Sequence, residues 1–216
     1  ILNILKDCES EGSSRLDGHT LYTVVKEDYK NVSTIAPNLK NIAQNSPRIF
    51  YDEKSGDLSR MDTYIAEANV ADFVINKVKN STKLDIDWSK YIHNEDGFDM
   101  TEQQSKALEN FCNSNISLLT GYAGCGKTTS IQGLIQLMED NDMSYTLLTP
   151  TGKASKVLSE ATHRSAQTIH RACFNGNIDT DVVVVDEASM INLEVMNMLI
   201  NSITNPNVRV VFSLDN

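Results

Sequence analysis

The chain has no apolar run approaching the roughly 20 residues that a membrane-spanning helix needs, so no span is expected. Its first residues, ILNILKDCESEGSS, have no basic start and no long apolar centre, so they do not resemble a secretion signal. Cytoplasmic residence is the resulting expectation. Cysteine is sparse: Cys8, Cys112, Cys125 and Cys173 are scattered and form no metal-type pair or disulfide framework. Positive charge is in deficit. There are 19 Lys and Arg against 29 Asp and Glu, a net charge of −10, which argues against a protein whose whole surface grips nucleic acid. A local basic groove remains open, because total charge says little about its distribution. Internal repeats and low-complexity tracts are also lacking. What is present is a 40% hydrophobic content over 216 residues, enough for one large or two small domains with real cores.

The most informative stretch is LLTGYAGCGKTT, residues 118–129. Gly121, four residues, then Gly126, Lys127 and Thr128 complete the phosphate-loop pattern GxxxxGK[ST]. The apolar run Ile116 to Leu119 before it reads as a buried strand. After it, Ile131, Leu134, Ile135 and Met138 keep helical spacing, giving the strand–loop–helix context the motif requires. Gly121, Gly124 and Gly126 would let backbone N–H groups close on phosphate oxygens, helped by the positive end of the helix. Lys127 is expected to reach the β- and γ-phosphates, and Thr128 to hold Mg2+. Cys125, within the loop, reads as a small filler.

Upstream, Ile1 to Cys8 reads as a short helix and Glu9 to Gly18 as a loop. His19 to Val25 fits a strand or a short helix equally. Val32 to Ala43 suggests a helix with Ile35, Leu39, Ile42 and Ala43 inward and Pro37 near its first turn. Arg48 to Tyr51 and Leu58 to Met61 read as a hairpin around the turn EKSGD. Helices followed by a hairpin suggest a winged-helix module, and the balanced charges of this hairpin favour a scaffold over DNA binding. Asp62 to Val78 reads as a helix whose stripe of Tyr64, Ile65, Ala68, Ala71, Ile75 and Val78 faces inward. Trp88, the sole tryptophan, is expected to anchor packing against the second half. Asn94 to Gly97 reads as a linker, with a domain boundary near Gly97 that divides the chain into 1–97 and 98–216.

In the second half, Thr101 and Gln104 have capping-box spacing before a helix with Ala107, Leu108 and Phe111 inward. Tyr145 to Leu148 reads as a strand leading into TPTGKAS, with a helix from Ala154 to Ala161. Ala166 to Cys173 reads as a short helical piece holding Thr168, His170 and Arg171. The four valines of DVVVVD, residues 181–186, indicate a strand buried on both faces. Asp186 and Glu187 at its end would enter the crevice where parallel sheets bind ligands. There Asp186 would serve the Mg2+ shell and Glu187 would orient or deprotonate the attacking water. A helix from Asn192 to Ile203 and a strand from Val208 to Leu214 complete an α/β fold, a parallel-sheet phosphate-loop NTPase.

Taken in order, TEQQSKAL, LLTGYAGCGKTT, TLLTPTGKASKVLSEATHRSAQTIHR and VVVVDEASM resemble the RecD-like DNA helicases of superfamily 1. The likeness is strong over 100–190; GHT near Gly18, the hairpin and YIAEANVADFV resemble, more weakly, the family's region before its motor. The resemblance implies a RecA-like first motor domain, with ATP and Mg2+ as cofactors and single-stranded DNA as partner. It further implies 5′ to 3′ movement with unwinding, roles in repair or recombination, and possible partners among nuclease or repair complex subunits. By this resemblance Gln104 recognises adenine and Gly121, Gly124, Cys125, Gly126, Lys127, Thr128 and Thr129 hold the phosphates. Pro150, Thr151, Gly152 and Lys153 contact the DNA strand, as do Thr168 and His170, with Arg171 beside them.

The sequence departs from the family in two places. Phe174 to Thr180 is shorter than the family's connection, and Leu214-Asp215-Asn216 stands where the family has Gly-Asp followed shortly by Gln. Asp215 matches the Asp. A second motor domain with arginine fingers is not found in the sequence, so the expectation is weak nucleotide binding and no unwinding by these residues alone. Two rival readings stand beside the helicase: a DNA-binding ATPase switch or loader that does not unwind, and a phosphate-loop kinase acting on a small metabolite.

Overall fold

The structure, a computed structural model, describes residues 1–28, 38–92, 99–122 and 124–215. Its contacts divide the chain into two compact units, Ile1–Asn69 and Val70–Asn216. The division falls within one helix, while the boundary expected near Gly97 lies outside the described residues, as do the Asn94–Gly97 linker and the part of the Val32–Ala43 helix that contains Ile35 and Pro37.

The first unit holds helices α1 (Leu2–Ser10), α2 (Gly18–Asp28) and α3 (Leu39–Gln44) and strands β1 (Leu16–Asp17), β2 (Ile49–Tyr51) and β3 (Asp57–Arg60). The strands form an antiparallel sheet in the order β1-β3-β2. Gly56, at φ +80°, makes the hairpin turn that a side chain would strain. Leu5, Leu21, Val25, Leu39, Ala43, Ile49 and Leu58 form the core. Two expectations change here. The stretch expected as loop contains β1, a two-residue strand held by pairing with β3. Ile42, expected inward, is exposed; Leu39 and Ala43 carry the buried face of α3.

Helix α4 (Met61–Lys79) is present, but it is turned away from the face expected of it. Ile65, Ile75 and Val78 are exposed, as are Ala68 and Ala71. The buried line runs instead through Ala66 and Lys77, with Phe73 packed on the second unit's core. Lys77 reaches that line because its stem is apolar and its ammonium donates to the carbonyls of Pro206 (2.9 Å) and Val208 (2.7 Å).

The second unit is a parallel α/β sheet. Its strands are β4 (Ile116–Gly121), β5 (Tyr145–Thr149), β6 (Ala166–Thr168), β7 (Val182–Val185) and β8 (Arg209–Asp215), ordered β4-β8-β7-β5-β6. Helices α5 (Glu102–Asn113), α6 (Lys127–Asp140), α7 (Gly152–Thr162), α8 (Ile169–Phe174) and α9 (Leu193–Ser202) connect or flank them. All four valines of β7 are fully buried, as their continuous β-branched run requires. The piece expected as helical from Ala166 to Cys173 splits: 166–168 pair with β5 as an edge strand, and only then does α8 begin. Trp88, in a single 3-10 turn (Trp88–Tyr91), packs on the cluster formed by Leu108, Phe111, Ile131 and Leu134. Among the described residues no helix is long and apolar enough to cross a membrane.

Candidate functional site

The sheet brings its functional residues to one edge. Every strand is parallel, so all carboxyl ends point the same way: Gly121 ends β4, Asp215 ends β8, and Asp186 and Glu187 follow β7. Val185 and Leu118 both align with Phe212 and Gly121 aligns with Asp215, so Asp186 lies about two residues short of Gly121 along the strands, with β8 laterally between them. Two strand spacings make that separation about 10 Å. Ligands of such sheets bind in the crevice beyond these ends.

The loop between β4 and α6 has the shape its glycines permit. Gly124 and Gly126 sit at φ +80° and +85°, a region costly for other residues. A Cβ on Gly121 would collide with the Cys125 sulfur, and one on Gly126 with the Gln104 side-chain nitrogen. These bare backbones, ahead of a 14-residue helix whose positive end faces the loop, fit a polyphosphate. Lys127 donates to the carbonyls of Gly121 (2.9 Å) and Tyr122 (3.2 Å), so it curls back over the loop. Thr128 is exposed on the first turn of α6 and Thr129 is half-buried behind it. A hydroxyl at Thr128 and a carboxylate at Asp186 are hard oxygen donors of the kind Mg2+ takes.

Gln104 is engaged twice. It completes the capping box of α5, accepting from the Thr101 N–H at 2.9 Å while its own N–H bonds the Thr101 hydroxyl. Its amide nitrogen also donates to the carbonyls of Cys125 and Gly126, each at 3.3 Å. Gln104 thus fastens α5 to the loop, a contact the sequence did not disclose.

Around Lys127 the charges are crowded. Asp215 forms an ion pair with it, although the sequence had marked Asp215 only as a match to a family position. Burial alone would lower the Lys127 pKa, but hydrogen bonding and charge from Asp215, with Glu187 adding to them, raise it. Glu187 is pushed up first by burial, then by the charges of Asp215 and Asp186, with Lys127 opposing. Glu187 also adopts a left-handed backbone at φ 55°, strained for a non-glycine residue, at the turn leaving β7. Asp186 is held by its backbone N–H, which donates to Leu148 on β5 at 2.9 Å.

The two segments expected at DNA leave adjacent strands at one level, since Thr149 pairs with Thr168. Pro150 is half-buried, Thr151 caps α7 by accepting from Ala154 N–H at 3.2 Å, and Gly152 and Lys153 are exposed at the helix start. Thr168 caps α8 by accepting from Arg171 N–H at 3.2 Å, leaving His170 and Arg171 exposed. Two helix starts therefore lie side by side, each offering N–H groups and a cation to phosphate.

A family described as an AAA domain matches residues 99–216, more than half of the chain. The ATP-dependent RecD2 DNA helicase of Deinococcus radiodurans is 32% identical over 122 residues, covering 52% of this chain and 17% of that protein. The RecBCD enzyme subunit RecD of Haemophilus influenzae is 30% identical over 147 residues, covering 51% and 23%. The chain thus spans less than a quarter of the length of these relatives. A solved structure of Pif1 helicases at forked DNA aligns at TM-score 0.42 and 21% identity over 55% of this chain and 34% of that one. That likeness is slight, and the fold assignment rests on the strand order instead. The chain belongs to the AAA domain family, and within that domain its sequence is similar to those of the RecD2 and RecD proteins.

Proposed function

We propose that this chain is the ATP-binding part of an ATP-dependent DNA helicase that moves 5′ to 3′ along single-stranded DNA. The observation that supports this reading most is the convergence of Lys127, Asp186 and Glu187 at the sheet edge from which Pro150–Lys153 and Thr168–Arg171 also emerge. Nucleotide and strand would then act on the ends of neighbouring strands in one rigid sheet.

In this reading the loop N–H groups and Lys127 bind the β- and γ-phosphates, and Gln104 contacts the adenine. Thr128 and Asp186 hold Mg2+, which when bound would neutralise charge developing on the phosphates. Glu187 orients the attacking water and accepts its proton, a task suited to a carboxylate whose proton affinity is raised. Thr151, Gly152, Lys153, Thr168 and His170 grip the DNA backbone with little sequence preference. Unwinding belongs, in this proposal, to the protein in which this domain closes over ATP against a second RecA-like domain. The Haemophilus relative is by name a subunit of the RecBCD enzyme, so nuclease or repair subunits are proposed partners.

A strand-displacement assay tests this reading. Duplexes with a 5′ or a 3′ single-stranded overhang are mixed with ATP and the longer protein in which this domain faces its second RecA-like domain. Unwinding of the 5′-tailed duplex alone is the expected result. DNA-stimulated ATP hydrolysis with no displacement from either duplex would replace the helicase by a switch or loader. Phosphorylation of a small metabolite, without any DNA effect, would replace it by a kinase.

A further inference from the structure

Asp215 lies outside the set of groups that the nucleotide reading uses, yet it pairs with one of them and its charge bears on another. Its carboxylate pairs with Lys127, whose side chain is only 12% exposed. Its negative charge also raises the proton affinity of Glu187. The position follows from the topology. β8 lies between β4 and β7, so the residue ending β8 stands between the glycine loop and the Asp186-Glu187 turn. Gly121 and Asp215 are register partners, and Lys127 Nζ also donates to the Gly121 carbonyl at 2.9 Å. One ammonium is thus held by a carboxylate at the height where the loop begins.

An ammonium has three donors and takes anions as a point charge. Two of its partners here are neutral carbonyls and one is an anion. A phosphate approaching the loop offers the same kind of oxygen as Asp215 and meets Asp215's negative charge at close range. Both cannot hold Lys127 fully. We propose that Asp215 is a stand-in for phosphate: it occupies Lys127, is displaced by the nucleotide, and so sets the affinity of the loop as a positioning residue. This inference rests on the nucleotide reading and adds a competitor to it.

Equilibrium binding of a fluorescent ATP analogue with Mg2+ tests the exchange. Asp215→Asn removes the competing charge with almost no change of shape. Loss of a partly screened ion pair from the ligand-free side corresponds to roughly fivefold tighter binding. Asp215→Glu, which keeps the charge, stays near the unaltered protein. On a Lys127→Ala background, measured at high protein concentration, Asp215→Asn gives no gain. Unchanged or weaker binding by Asp215→Asn, with its melting curve intact, would overturn the exchange alone. So would an equal gain on the Lys127→Ala background, which would mean a diffuse charge effect. Failure of the unaltered protein to bind the analogue would overturn the nucleotide reading, and the exchange with it.

Discussion

Replacing Arg209 is the sharpest test of how the second unit is held together. Arg209 opens β8 and is 3% exposed, and among the described residues no carboxylate pairs with it. Burial lowers its pKa, with Cys112 opposing, so the charge is carried at a cost. Its guanidinium donates to the carbonyls of Phe111 (2.9 Å), Ser114 (2.7 Å) and Thr82 (2.5 Å), and to the Thr82 hydroxyl (3.1 Å). Phe111 lies in the last turn of α5, where carbonyls lack helical partners and carry partial negative charge. The fork therefore caps α5 and ties Thr82 to the sheet. Arg209→Ala leaves the buried Phe111 carbonyl unsatisfied, costing about 1–3 kcal/mol, while the other two regain water and lose less. A net loss of about 3 kcal/mol would lower the melting temperature by roughly 6–12 °C for a unit of this size. Trp88, the sole tryptophan, packs in the same core and reports its unfolding by fluorescence. Arg209→Lys should recover only part of the loss, since one ammonium cannot span carbonyls on both sides of the fork. A loss below about 1 kcal/mol in Arg209→Ala, or a neutral Arg209→Lys, would refute this account.

Other outcomes follow from single contacts. Gly126→Ala must adopt φ near +85° and push against Gln104, so nucleotide affinity should fall about tenfold or more in a titration with a fluorescent ADP analogue. Glu139 is held down at about 2 by the Arg164 guanidinium and then by the Tyr145 hydroxyl. Its folded pKa is depressed, so its contribution is present above 4.5 and is lost as pH falls toward about 2. Acid unfolding followed by circular dichroism should show a shallower pH dependence in that window for Glu139→Gln, and an unchanged profile would contradict the pairing.

Local chemistry was the legible part of the sequence. The capping box of Thr101 and Gln104, the glycine loop and the four-valine strand each carry their signal within a few residues, and each is found where expected. What escaped depends on distant partners. β6 reads Ala-Gln-Thr, three half-buried residues at a sheet edge, and only pairing with β5 makes it a strand. α4 carries an apolar stripe that is exposed, while a lysine on its other side is buried because carbonyls from residues 206 and 208 await it. No hydrophobic pattern reports that. At the site, the loop and the acids could be named from spacing. The pairing of Asp215 with Lys127 and the tie from Gln104 to the loop could not, because both arise from which strands and helices become neighbours.

The proposed function places phosphate between Lys127 with its glycine loop and the acids that follow β7. It is tested most directly by measuring Mg2+-ATP binding and turnover for Lys127→Ala and Glu187→Gln beside the unaltered protein. Lys127→Ala should lose binding by about a hundredfold or more, and Glu187→Gln should bind nearly as before but not turn over. Unimpaired binding by Lys127→Ala, or normal hydrolysis by Glu187→Gln, would contradict it.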